Sequence, residues 1–250
     1  MSRTIDAPGR PPRRIGSYTT ARVTRGRVER LERHAGRLRR DAERLGLPLP
    51  SRIEIENIFL ATAAKTFGSG DGIVRVEWSH LPKGEPELIA ITRPLGDVPN
   101  RWRAAVSRTV HPGLAFRANT KYVDVEAYDL GRSEVRAADF DEVLLFDAEG
   151  FLVEGAHSNI LLVQADGRLV TPAPSLGGVE GLGLTIVREN RPEVGNALLR
   201  REDLSAAVEV MSCNAVRGVV PIIELDGEPI PADRPDSWAL RLRQLFFRNP

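Results

Sequence analysis

The sequence predicts a two-domain α+β protein, a small N-terminal α+β unit followed by a larger, mostly β unit. Three observations carry that expectation. At 250 residues the chain is long enough to bury more than one core. Its strongest helical periodicity falls within the first hundred residues, and beyond about residue 120 the pattern changes to short strands separated by turns. The expected division is a loose arm over 1–15, a small domain over 16–110, a linker over 111–120 and a large domain over 121–250.

The arm is rich in Pro, Gly and Arg. Residues 18–23 have β-branched and aromatic character, and Arg25-Gly26 supplies a turn. Val28, Leu31, Ala35, Leu38, Ala42 and Leu45 then recur at steps of three and four, the spacing of one helix face, until Gly46 and Pro48 stop them. A second helix is expected over 53–66, closed by Gly68. Val74, Val76 and Trp78 alternate as a strand, and 88–92 returns beside it after Pro82-Lys83-Gly84-Glu85-Pro86. Pro112 and Gly113 mark the linker.

In the second half, strands are expected over 143–146, 151–153, 160–163 and 169–170. Asp147-Ala148-Glu149-Gly150 and Ala165-Asp166-Gly167 serve as hairpin turns. A glycine-rich stretch, 177–183, leads into the apolar 184–187. Further strands are expected over 208–211 and 219–225, and a terminal helix over 238–247.

Composition narrows the function. Hydrophobic residues are 42% and charged residues 28%, which argues for a globular protein rather than a disordered one. No apolar run approaches the ~18 residues of a membrane helix. Arg13-Arg14 is not followed by an apolar segment, so no export signal is read and a cytoplasmic location is expected. The lone Cys213 makes no internal disulfide, and His34, His80, His111 and His157 are scattered without metal-ligand spacing. No G-x-S-x-G elbow occurs. The net charge is +1, and the basic helix over 25–44 carries Glu29, Glu32, Asp41 and Glu43 as counter-charges with no interleaved aromatics. It therefore reads as a solvated face rather than a nucleic-acid surface. Only three lysines occur among 35 basic residues, Lys65, Lys83 and Lys121, which limits any lysine chemistry to those three.

The glycine stretch alone suggests an anion site, though not a Walker loop, since no Gly-Lys-Ser/Thr follows. Read in chain order, the motifs say more. They are Thr19-Thr20-Ala21-Arg22-Val23, His34-Ala35-Gly36-Arg37-Leu38, Lys121, and Asp141-Glu142-Val143-Leu144-Leu145. Glu154-Gly155-Ala156-His157-Ser158-Asn159-Ile160, Thr171-Pro172, the glycine stretch and Ser212-Cys213-Asn214-Ala215 complete the series. This ordered set, over residues 16–225, resembles the class IV (fold type IV) pyridoxal-phosphate enzymes, a family of branched-chain and D-amino-acid aminotransferases and aminodeoxychorismate lyase. The Thr-Thr-Ala-Arg-Val and Cys-Asn-Ala strings look most like the lyase.

The resemblance implies a two-domain fold type IV structure, a bound pyridoxal 5'-phosphate, a small amine substrate and a homodimer. It places Lys121 at the family's cofactor-linking lysine, with Glu154 facing the pyridine nitrogen. Arg37 is implied to grip the phosphate, helped by Leu182, Gly183, Asn214 and Ala215, while Ser158 and Asn159 match the Ser-Asn pair beside the cofactor. The chain departs from the family in three places. The D-R-x-x-x-x-G-D-G run before the first helix is absent apart from Gly16 onward, and Asp124 and Val125 stand where Asn and Tyr or Arg are usual. Leu182-Gly183-Leu184 replaces Ile-Thr-Arg. The leading expectation is a lyase that releases 4-aminobenzoate and pyruvate. The alternatives are an aminotransferase of the same class, and a non-catalytic or nucleic-acid-binding member.

Overall fold

A computed structural model describes residues 13–97, 100–114, 119–230 and 237–246. Most of the expected arm (1–12), part of the expected linker (115–118) and residue 247 of the expected terminal helix lie outside them.

The first unit is a four-stranded antiparallel sheet covered by two helices. Its strands are β1 (Ile15–Thr24), β2 (Arg27–Val28), β3 (Gly72–His80) and β4 (Glu87–Arg93), in the order β2-β1-β3-β4. The helices are α1 (Leu31–Arg44) and α2 (Arg52–Phe67). Ala35 and Leu38 from α1 and Ile55, Phe59 and Ala63 from α2 meet Ala21, Val23, Val74 and Val76 of the sheet. Each large side chain buried there contributes about 1.5–3 kcal/mol. The helical stripe seen in the sequence starts one turn late. Val28 belongs to β2, because Arg25 (φ 49°), Gly26 (φ 75°) and Arg30 (φ 53°) turn the chain through a tight hairpin before α1 begins. Ser51 caps α2, its hydroxyl accepting the Glu54 N–H, and Gly68 ends the helix with positive φ.

The second unit is a larger mixed sheet. Eight of its nine described strands run in the order β10-β9-β8-β11-β12-β5-β6-β7, starting from the short β10 (Gly195–Ala197), and β13 (Glu228–Pro229) pairs beside β12. The ranges are β5 (Trp102–Val106), β6 (Glu142–Phe146), β7 (Leu152–Gly155), β8 (Asn159–Val163), β9 (Leu169–Pro172), β11 (Glu209–Asn214) and β12 (Gly218–Leu225). Both expected turns form, with Gly150 and Gly167 at positive φ joining β6 to β7 and β8 to β9. A short 3-10 turn (Pro174–Leu176) and helices α3 (Glu126–Ala138), α4 (Leu182–Asn190), α5 (Arg201–Ser205) and α6 (Trp238–Arg243) complete the described elements. Apolar clusters cover both faces of the sheet, so its central strands read as continuous hydrophobic runs. No described helix is long and apolar enough to cross a membrane.

Two features differ from the sequence expectation. β5 lies ahead of the expected boundary at 110, yet it pairs in parallel with β12 and β6 of the larger sheet. By hydrogen bonding, the chain therefore crosses between sheets after Arg93 and before Trp102. It then returns briefly. Tyr18 N–H donates to Lys121 O at 2.9 Å, Val123 N–H donates to Gly16 O at 3.0 Å, and Ser17 bridges to Tyr122. The segment carrying Lys121 is thus bound to β1 before α3 leads back to β6. The terminal helix is shorter than expected, six residues, with the Ser237 hydroxyl accepting the Leu240 N–H at its start.

Candidate active site

Where Lys121 returns to β1, the two units enclose a cleft of about 660 Å3. All nine residues singled out from the sequence line it: Arg37, Lys121, Glu154, Ser158, Asn159, Leu182, Gly183, Asn214 and Ala215. They come from α1, the return segment, β7, β8, α4 and the end of β11, so only the tertiary fold brings them together.

One end is built by α1 and α4. Arg37 points inward from α1 and is 5% exposed, and its Nε is buried with no hydrogen-bond partner among the described residues. Burial lowers its proton affinity, and Asp41, one turn along the same face, works against that loss. Asp41 is itself pushed above the usual carboxylate range by burial, with Arg37 pulling the other way. Its Oδ2 accepts the Lys121 N–H at 3.1 Å, which ties the lysine backbone to the arginine helix. Opposite, α4 begins at Gly181, which has no side chain to cap the first turn, so the N–H groups there are open to an anion. The approach is close. A Cβ on Gly181 would lie 1.8 Å from Asn159 Oδ1, and one on Gly183 would lie 2.8 Å from the Asn214 carbonyl carbon.

Next along α1, His34 is buried and its Nδ1 lies 2.6 Å from Thr19 Oγ1. Burial pushes its imidazole down to about 3, helped by Arg37 and Arg30. The folded protein therefore binds fewer protons here than the unfolded chain, whose imidazole titrates near 6.5. This stability is fully present above that value and is lost as pH falls toward the folded value, at up to about 1.4 kcal/mol per pH unit. Urea unfolding of wild type and His34→Gln, near neutrality and at about pH 5, should show the larger acid loss in wild type. Equal losses would refute the assignment.

The other end holds Glu154, 3% exposed on β7. Its Oε1 accepts the Val179 N–H at 3.0 Å and a short hydrogen bond from the Tyr128 hydroxyl, and its Oε2 accepts Asn159 Nδ2 at 3.2 Å. Asn159 spends its second amide proton on Val179 O at 2.9 Å. Three donors thus fix the carboxylate in one orientation.

Lys121 lies between these ends, half-buried, its Nζ 4.8 Å from the centre of the Tyr18 ring. Burial pushes the Tyr18 phenol up, but Lys121, Arg75 and Arg132 together outweigh it and hold the phenol below its ordinary value. The Arg75 guanidinium lies 3.6 Å from the Tyr18 ring centre and pairs with Glu77 at 2.6 Å. Arg93, whose proton affinity is lowered by burial, is also close to Tyr18, Arg75 and Arg132. Among the described residues, seven cationic side chains and two carboxylates line the cleft, so it attracts anions.

Some expected residues serve differently from their neighbours. Ser158 lines the cleft and donates its hydroxyl to the buried Glu142 at 2.7 Å. Asn214 Oδ1 accepts the N–H groups of Val216 and Arg217 at 3.0 and 2.8 Å, so its side chain holds the turn after β11. Tyr18, Asp41, His111, Tyr128, Arg75 and Arg93 were not singled out. Of these, only Asp41 carried a sequence signal, its four-residue step from Arg37.

A family model for amino-transferase class IV matches residues 16–225. The chain belongs to the class IV aminotransferase family. It is 28% identical to the branched-chain-amino-acid aminotransferase of Escherichia coli over 150 residues, 58% of this chain and 47% of that one. The matched stretch spans less than half the length of the curated relatives. Its fold is that of an aminotransferase from Brucella abortus bound to the co-factor PLP, with 25% identity, TM-score 0.74, and 92% and 87% of the two chains covered. It is also that of a candidate 4-amino-4-deoxychorismate lyase from Legionella pneumophila, with 18% identity, TM-score 0.75, and 88% and 86% covered. Class IV members of this kind have the fold type IV architecture expected from the sequence.

Proposed function

We propose that this class IV chain is a pyridoxal-phosphate-dependent aminotransferase that moves an amino group between an amino acid and a 2-oxo acid. The observation that carries the reading is the cleft itself. A half-buried lysine sits between a buried arginine whose Nε has no hydrogen-bond partner among the described residues, beside an uncapped helix start, and a carboxylate fixed by three donors.

The residues fit the cofactor. The orphaned Arg37 Nε and the uncapped start of α4 suit a phosphate, and Gly181 and Gly183 let the start of α4 pack closely against Asn159 and Asn214. Glu154 suits a protonated pyridine nitrogen, because all its described partners donate. When bound, the cofactor supplies an electron-accepting ring conjugated to the substrate amine. Lys121 holds the cofactor and, once released, moves a proton at the substrate α-carbon. Glu154 keeps the proton on the ring nitrogen. Arg75 and Arg93 are the cations offered to a substrate carboxylate, and the Tyr18 ring lies within reach of both the Arg75 guanidinium and the lysine amine. Leu182 and Gly183 offer backbone donors to the phosphate, and Ala215 lines the same end. The working form is a homodimer, as the family resemblance implies.

A second reading, 4-amino-4-deoxychorismate lyase, is supported by the cationic lining, which suits a substrate with two carboxylates, and by the likeness to the Legionella protein. Purified protein should be yellow. It should convert amino donors with 2-oxo acids, and the products of separate incubations with amino acids and with aminodeoxychorismate decide between the readings. Release of 4-aminobenzoate without transamination overturns the aminotransferase in favour of the lyase. A colourless protein that retards oligonucleotides overturns both.

A further inference from the structure

We propose that His111 and Tyr128 are positioning residues that fix Glu154 as an acceptor and decide which of its oxygens meets the cofactor ring. The inference rests on the proposed function and goes past the residues that touch the cofactor.

The three side chains form a buried line, with His111 2%, Tyr128 7% and Glu154 3% exposed. They come from three separate places: the segment after β5, helix α3 and strand β7. The polarity of the line is set by one backbone amide. Gly113 N–H donates to His111 Nδ1 at 3.0 Å, so that nitrogen is the acceptor and the imidazole proton resides on Nε2. Nε2 lies 3.1 Å from Tyr128 Oη. A tyrosine hydroxyl has one hydrogen, and with its oxygen accepting from His111 that hydrogen is directed to Glu154 Oε1.

The consequence appears at the two carboxylate oxygens. Oε1 accepts from Tyr128 and from Val179 N–H at 3.0 Å, which fills both of its acceptor positions, while His111 Nε2 lies 3.7 Å away. Oε2 accepts only Asn159 Nδ2 among the described donors and keeps one position open. Oε2 is therefore the atom left for the ring nitrogen. Because every described partner of the buried carboxylate donates, a proton placed on it would break one of those hydrogen bonds, and the shared proton is left on the ring. Without the Tyr128 hydroxyl, or with that hydroxyl free to rotate, Glu154 becomes the stronger base and draws the proton toward itself.

The test loads the full chain with pyridoxal phosphate labelled with 15N in the ring and reads the nitrogen chemical shift and the cofactor dissociation constant. The variants are Tyr128→Phe, His111→Leu and His111→Gln, the last keeping an amide donor for Tyr128. Wild type and His111→Gln should give the protonated-ring shift. Tyr128→Phe and His111→Leu should move it toward the unprotonated position and weaken cofactor binding about tenfold. Unfolding of each apoprotein separates loss of fold from loss of polarity. An unchanged nitrogen shift in folded Tyr128→Phe and His111→Leu overturns the proposal, as does a His111→Gln shift equal to that of His111→Leu. Wild type that takes up no cofactor instead overturns the proposed function, with Tyr128 and His111 playing no part in that result.

Discussion

Lys121→Ala protein should be colourless after incubation with pyridoxal phosphate, and its turnover should fall by at least about a thousandfold. The size follows from the absence of a substitute. Lys121 is the one lysine on the cleft, and the other cations there are arginines, which do not give up a proton near neutrality. The fold should tolerate the change, because the hydrogen bonds that place this residue use its backbone: its carbonyl accepts Tyr18 N–H and its N–H donates to Asp41. Circular dichroism and the urea midpoint should match wild type within a few tenths of a kcal/mol, as for partly exposed positions generally. Retention of the visible band in the variant would remove the lysine from the proposed mechanism.

Glu154→Gln should cost both activity and stability, and the pairing of the two losses is the useful reading. A glutamine presents one acceptor and one donor where the carboxylate presented two acceptors. Tyr128, Val179 and Asn159 all donate to this group, so the new NH2 must face at least one of them. An unmet donor buried this deeply costs about 1–3 kcal/mol. The loss of the charge opposite the ring nitrogen should lower turnover by about 10²–10³-fold, the scale of removing one preorganised electrostatic group. Urea unfolding and steady-state rates measure the two effects. A variant that keeps full stability would contradict the hydrogen-bond network, and one that keeps full rate would contradict the role of Glu154.

The sequence revealed the fold unevenly, for physical reasons. Helix α2 was legible to within a residue, because Gly68 marks its end, whereas its Ser51 cap was recognised only in the structure. The hairpins at Gly150 and Gly167 were legible because their turns require residues that accept positive φ. Helix α3 was not. Only Ala127, Tyr128 and Gly131 are buried on it, and Leu130 faces outward, so no apolar stripe repeats at helical spacing. β5 was missed because its place comes from long-range parallel partners, which leave no local turn signal. The site shows the same division. Residues belonging to the ordered motif series line the cleft, whereas His111, Tyr128 and Asp41 gain their roles from contacts between elements far apart in the chain. Ser158 and Asn214 sit in the cleft wall, but their side-chain hydrogen bonds are committed to Glu142 and to the turn after β11.

The short bridge from the Lys121 segment to β1 has a further consequence. The Lys121 backbone is held by the smaller sheet, while Glu154 belongs wholly to the larger one. Loss of that one seam would separate the two groups that the proposed function needs together while leaving the larger sheet's own hydrogen bonds intact, so the proposed activity depends on the local integrity of the smaller sheet.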